Sequence, residues 1–156
     1  MTIQNLLDHY GESHQNATNK LIHWVCVPAI LFSLIGLLYA IPFPFGGGDK
    51  TMFSNWAAVF LAGALVYYLR LSIPMFAGFV VIALAVLWGN NYIAHHFTAA
   101  PLWVVSLVIF AVAWVGQFVG HKIEGKKPSF LEDVQYLLIG PAWLLHFIYR
   151  KVGISY

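Results

Sequence analysis

The chain has 156 residues, 60% of them hydrophobic and 9% charged, with a mean hydropathy of +0.75 and a formal net charge of +2. Soluble domains usually carry about 25% charged residues, so this chain has too little polar surface to cover a water-soluble globule and reads as an integral membrane protein. The small net charge and scattered lysines exclude nucleic-acid binding, and the length points to a single domain over residues 1–156.

In chain order, Ile3, Leu6, Leu7 and Tyr10 fall at helical spacing and predict a short amphipathic helix over 2–13, lying at the membrane interface. Acids and no basic cluster precede the first apolar run, so this segment does not read as a cleaved signal peptide. The first spanning helix is expected over about 21–41, long enough for the roughly 20 residues a bilayer core requires. Pro28 is expected to kink it near its start. Cys26, the sole cysteine, rules out an internal disulfide and reads as a small buried residue.

"PFPFGGGDKT" is a loop, and the second span follows over about 55–71. Pro74 marks a tight return into a third span, about 75–94, and the fourth covers about 101–120. After the polar stretch "HKIEGKKPSFLED", the apolar "VQYLLIGPAWLLHFIY" is interrupted by Gly140-Pro141. That interruption predicts a re-entrant or interfacial helical hairpin, with a fifth span as the alternative. The expected fold is therefore all-α: a membrane bundle of about four transmembrane helices, with an interfacial helix before it and a hairpin after it. No repeat or low-complexity segment is present.

Cytoplasmic loops are enriched in Lys and Arg. Four spans put Lys20, Arg70, Lys122, Lys126 and Lys127 on one side and only Lys50 on the other, which places both termini in the cytoplasm. The same topology sorts the histidines. His14, His23 and His121 lie at the cytoplasmic side, while His95 and His96 lie about 30 Å away across the hydrocarbon.

His14 and His23 are nine residues apart, so on one continuous helix they would face opposite ways. They converge only if the chain breaks between them, and Asn16, Thr18 or Asn19 can supply that break as a helix cap. Asn19 and His23 share a helix face. Gln117, His121 and Glu124 follow at i, i+4 and i+7 and form one polar stripe at the end of an apolar helix. Polar groups at membrane depth face the bundle interior, where they are paired or functional. Three imidazoles with a carboxylate suit a first-row transition metal such as iron or zinc, and spacing alone favours neither. His95 and His96 read as interfacial residues, whereas His146, after the Gly-Pro break, can approach the site from the last hairpin.

At these residues the chain resembles a known family. "HQNATNKLIHWVCVPAILFS" together with "WVGQFVGHKIEGKKPSFLEDVQYLLIGP" is similar to the 2-hydroxy fatty acid dioxygenases, membrane enzymes of fatty-acid α-oxidation found in fungi, with many bacterial relatives. The likeness runs from about Tyr10 to about Pro141 and is strongest in those two blocks. The resemblance implies an Fe(II) enzyme that uses O2 to shorten a 2-hydroxy fatty acid by one carbon. It implies His14, His23, His121 and Glu124 at the metal, with Asn19 and Gln117 beside them and Glu132 where the family usually has an aspartate. Lys20 or Lys122 would steer the substrate carboxylate. The site would face the cytoplasm from a bacterial inner membrane or, in a eukaryote, the endoplasmic reticulum.

Two other classes compete. Membrane hydroxylases and desaturases carry more histidines in clustered boxes, and here only His95-His96 resembles such a box, on the wrong side. A non-enzymatic helical scaffold with interfacial histidines would bind no metal.

Overall fold

The computed structural model describes residues 2–47, 50–126, 134 and 136–156. Among them the chain forms six helices and no strand: α1 Ile3–Gly11, α2 Ala17–Ala40, α3 Trp56–Leu71, α4 Ile73–His96, α5 Leu102–Glu124 and α6 Ile139–Val152.

Helices α2, α4 and α5 are each long and apolar enough to cross a bilayer. Leu21, Val25, Val81, Val112 and Val115 stand exposed on their outer faces, a surface suited to lipid and not to water. Helix α3 is equally apolar but has 16 residues, about 24 Å of helix against a hydrocarbon core of about 30 Å. Three long spans and one short apolar helix therefore stand where four spans were expected.

Chain direction follows from the connections. Ser72 is both the last cap of α3 and the first cap of α4, with Pro74 in the first turn of α4, so these two helices form the tight hairpin that Pro74 predicts. Trp56 Nε1 donates to the Pro42 carbonyl and joins the start of α3 to the end of α2. The Tyr39 hydroxyl donates to Asn91 Oδ1, which ties that same end of α2 to the end of α4. The bundle thus has two ends. One holds Tyr39, Lys50, His95 and His96; the other holds Leu71, Glu124, α1 and α6. The sixteen residues from His23 to Tyr39 set these ends about 24 Å apart.

Helices α2 and α5 form the most extensive pair. Gly116 and Gly120, one turn apart on α5, face α2. A Cβ added at Gly116 would stand 2.6 Å from Cys26 Sγ, and one at Gly120 would stand 2.3 Å from Asn19 Oδ1. Membrane helices lack a hydrophobic drive toward each other, so small residues that admit close backbone approach supply the packing. Cys26 is half-buried beside this contact. Asn90 adds polar glue from α4, donating to the Phe32 carbonyl of α2 at 3.1 Å and to its own Val86 carbonyl.

Helix α1 is amphipathic as expected and buries Ile3, Leu7 and Tyr10, with Leu6 half-buried. Its partner is α6. Helix α2 continues through Pro28 as one helical segment. The Gly140-Pro141 pair does not split a hairpin. It lies in the first turn of α6, where proline's missing N–H costs no intrahelical bond. One 14-residue helix follows, with every residue from Ile139 to His146 buried. At about 21 Å it is too short to cross; it caps the bundle, held by hydrogen bonds from Tyr68 to the Leu138 carbonyl and from Tyr149 to the Pro74 carbonyl.

Two outcomes test this arrangement. In a Cys26→Ala background, Phe45→Cys and Lys126→Cys should be labelled by a membrane-impermeant thiol reagent from opposite sides, with Lys126→Cys cytoplasmic; labelling of both from one side would refute the helix order. Gly120→Ala should destabilise the protein by about 1–3 kcal/mol, the usual penalty for overpacking a tight contact, measured as a lowered unfolding temperature in detergent.

Candidate metal centre

Helix α1 ends at Gly11, and α2 begins at Ala17 after Asn16, whose Oδ1 accepts from the backbone N–H groups of Thr18 and Asn19. This is the break that the nine-residue spacing demands, and Asn16 is the residue that makes it. The turn lets His14 fold back over the first turns of α2. His23 lies on the buried face of α2, and His121 on the buried face of α5 near its end.

The three imidazoles meet. One ligand atom from each of His14, His23 and His121 lies within 4.8 Å of the others. The ring centroids are 4.2 Å apart for His14–His23, 5.1 Å for His23–His121 and 5.4 Å for His14–His121. All three are buried: His14 and His23 are 1% exposed and His121 is 6% exposed.

The groups around the rings set which nitrogen faces inward. His14 Nδ1 lies 2.7 Å from the Tyr10 carbonyl, and His23 Nδ1 lies 2.9 Å from the Asn19 carbonyl. A carbonyl only accepts, so Nδ1 carries the proton in both rings and Nε2 keeps its lone pair. Metal-binding histidines are held in this way, with the distal N–H on a carbonyl and the other nitrogen on the ion. Ring packing adds rigidity. Tyr10 stacks on His14 at 4.3 Å and 15°, and Trp143 of α6 approaches it at 5.1 Å. Histidine ligands sit about 2.0–2.1 Å from a zinc-sized ion, so small ring rotations bring three atoms within 4.8 Å onto one centre. The donor set fits a first-row metal.

Glu124 takes a different part. Its Oε1 accepts from the Gln15 backbone N–H at 2.9 Å, and its Oε2 accepts from the Asn16 N–H at 2.8 Å and from Asn19 Nδ2 at 3.0 Å. Asn19 Nδ2 also donates to the Ser13 carbonyl. The end of α5 thereby clasps the turn that carries His14. Gln117 lies one turn deeper than His121 and is 5% exposed. Its Oε1 has no hydrogen-bond partner among the described residues.

Lys20 is half-buried and lines an open groove of about 250 Å³ that reaches His14 between α1 and α6. Lys122 is exposed and is not part of that groove. Glu132 lies outside the described residues. His146 lines the groove and bonds the Tyr156 hydroxyl, outside the three-histidine cluster. Burial and the Arg150 guanidinium hold its imidazole below the ordinary range. His95 and His96 are exposed at the opposite end of the bundle, bonded to the Asn91 and Tyr92 carbonyls.

Three residues at the site were not singled out from the sequence: Tyr10 as a ring support, Trp143, and Arg150 in the groove. Tyr10 stands four residues before His14, a spacing that could have flagged it. Trp143 and Arg150 reach the site only because α6 folds back across the bundle end.

The family model described as "Mpo1-like: 2-hydroxy-palmitic acid dioxygenase Mpo1-like" matches residues 1–152. The chain belongs to this family. Among its members, the 2-hydroxy-palmitic acid dioxygenase MPO1 of Saccharomyces cerevisiae is 27% identical over 158 aligned residues, covering 98% of this chain and 83% of the yeast protein. No solved structure matches the chain. Within this Mpo1-like chain, the early block supplies His14 and His23 and the late block supplies His121, so the two stretches that carry the sequence likeness are those that meet in space.

If the cluster is one metal centre, His14→Ala, His23→Ala and His121→Ala should each purify with sharply reduced metal, read by elemental analysis. His95→Ala and His96→Ala should keep wild-type metal content; loss of metal from either, with the fold intact by circular dichroism, would overturn the assignment.

Proposed function

We propose that this protein is an iron(II)-dependent dioxygenase that shortens 2-hydroxy fatty acids by one carbon, with His14, His23 and His121 as the iron ligands. One observation carries the reading: in a chain of this family, three buried imidazoles from distant segments converge, and in His14 and His23 the Nδ1 hydrogen bond to a carbonyl leaves Nε2 free to bind a metal. The yeast relative's name supplies the substrate class.

The reaction balances without a further reductant. A 2-hydroxy acid and O2 become the acid one carbon shorter, CO2 and water. The carbinol carbon is oxidised to a carboxyl, the original carboxyl leaves as CO2, and O2 takes up four electrons. Iron held by His14, His23 and His121 would supply the redox chemistry that couples oxidation of the 2-hydroxy acid to reduction of O2.

The protein's own task is geometry and exclusion of water. The Tyr10 and Asn19 carbonyls orient two imidazoles, while Tyr10 and Trp143 hold the His14 ring. Lys20 and Arg150 flank the groove to His14 and draw in a carboxylate from the membrane surface, partly opposed there by Asp8 and Glu12. The alkyl tail stays in lipid or between apolar helices. Glu124 acts as a positioning residue through the turn before α2.

Anaerobically purified protein should contain about one iron per chain, and with O2 it should convert 2-hydroxypalmitate to pentadecanoate. Protein that retains no metal, or that leaves 2-hydroxypalmitate unchanged when loaded with iron, would defeat the proposal. Glu124→Gln should lower metal affinity or turnover by about 10–100-fold, the usual loss when a supporting group is removed, and less than any of the three histidine variants.

A further inference from the structure

Beneath the histidines, toward the bilayer midplane, lies a cavity of about 20 Å³. Val27, Ile30 and Leu31 of α2, Trp114 of α5 and the segment from Tyr136 to Gly140 form its wall, and Tyr10 and Gln117 close the end toward the metal cluster. It has room for one water-sized group. On α5 it is lined by Trp114 and by Gln117, which lies four residues, about 6 Å, below His121. The Gln117 side chain is 5% exposed, and its carbonyl oxygen accepts no hydrogen bond from any described residue.

A buried acceptor without a donor costs about 1–3 kcal/mol, and in a membrane bundle no bulk water relieves it. Asn19 Oδ1, Asn90 Oδ1 and Ser106 Oγ are also unpaired among the described residues, but of these acceptors only Gln117 Oε1 lines the cavity, where a ligand can bring the donor. Substrates of the proposed reaction carry one hydrogen-bond donor near the head, the hydroxyl on C2. The carboxylate has none at neutral pH, and the alkyl chain has none anywhere. The cavity's position and size match a hydroxyl on the first carbon beyond the carboxylate, and beside the Tyr10 and Tyr136 hydroxyls Gln117 Oε1 lines it as a buried acceptor with no partner among the described residues.

We infer that the Gln117 carboxamide, facing this cavity, reads the 2-hydroxyl of the fatty acid and is the residue that separates 2-hydroxy acids from ordinary ones. The inference rests on the functional reading above. It makes Gln117 a specificity residue that touches substrate. An unmodified fatty acid would leave the buried acceptor unpaired, and sites built to bind a hydroxyl discriminate strongly against analogues that lack it.

The test is a cycle between protein and ligand. Binding of 2-hydroxypalmitate and of palmitate is measured anaerobically on the iron-loaded protein, wild type and Gln117→Met, by quenching of tryptophan fluorescence, with iron content determined on the same samples. Gln117→Met should keep its iron and bind palmitate within about twofold of wild type, while its preference for the hydroxy acid falls about tenfold, the lower part of the range for an orphaned buried acceptor. Gln117→Glu, which keeps the acceptor and the length, should retain the preference even if both acids bind more weakly. Equal weakening of both acids in Gln117→Met would mean a structural or water-holding role and would overturn the inference, as would an unchanged preference.

Should Gln117→Met lose its iron, wild-type protein and 2-methoxypalmitate decide the matter. That ligand has no O–H to donate and should bind no better than palmitate; binding as tight as that of 2-hydroxypalmitate would refute the role. Wild-type protein that turns over 2-hydroxypalmitate but shows no coupling at position 117 loses only this inference. Wild-type protein that neither binds nor converts it loses the functional reading as well.

Discussion

Much of this structure depends on how closely α5 approaches α2. Gly116 and Gly120 remove the side chains that would hold the two helices apart, and Cys26 and Asn19 fill the space they leave. At the end of the same seam, the Glu124 carboxylate takes the backbone N–H groups of Gln15 and Asn16 and the Asn19 amide. Those backbone donors belong to the turn just before α2, whose own first N–H groups are capped by Asn16 Oδ1. One seam thus packs the central helix pair and fixes the turn that carries His14. If the seam loosened, His121 would move away from both His14 and His23.

The site is built by a division of labour across the membrane boundary. Below it, apolar helices face lipid and set the depth of everything else. At it, short polar segments supply the chemistry: the His14 turn, the end of α5 and the first turns of α6. Helix α6 does not cross. It lies over the end of the bundle and brings Trp143 against His14 and His146 and Arg150 to the groove. A lipid substrate requires this placement, because its charged head belongs in water and its tail in hydrocarbon. The three-histidine cluster, near the ends of α2 and α5, suits the proposed reaction on the carbon next to that head.

Polar atoms inside the bundle sort into two kinds. Some are glue: Asn90 spans α4 and α2, Tyr68 and Tyr149 hold α6 down, and Lys50 bonds the last carbonyls of α2 at the opposite end. Others turn toward the histidines. The Tyr10 and Asn19 carbonyls set ring tautomers, and Gln117 presents an acceptor to the cavity below. Among the described residues, the second kind clusters at one end of the bundle.

The sequence by itself determined the class of the protein and the three histidines of its candidate site. Composition required a membrane, the apolar runs located the long helices, and the nine residues between His14 and His23 required a chain break if the two were to meet. The polar stripe at Gln117, His121 and Glu124 was legible because helical periodicity is a local property. The tertiary structure decided what depends on neighbours. Gly140-Pro141 looked like an interruption, but proline is tolerated in a first turn, and packing against α1, α2 and α4 made that turn the start of one buried helix. Glu124 looked like a candidate ligand because it shares a stripe with His121; the nearness of the α2 N-terminus, which no local pattern encodes, turned its carboxylate onto backbone donors instead. The packing role of Gly116 and Gly120 was present as a spacing in the sequence. It acquired meaning only when a particular helix lay against it.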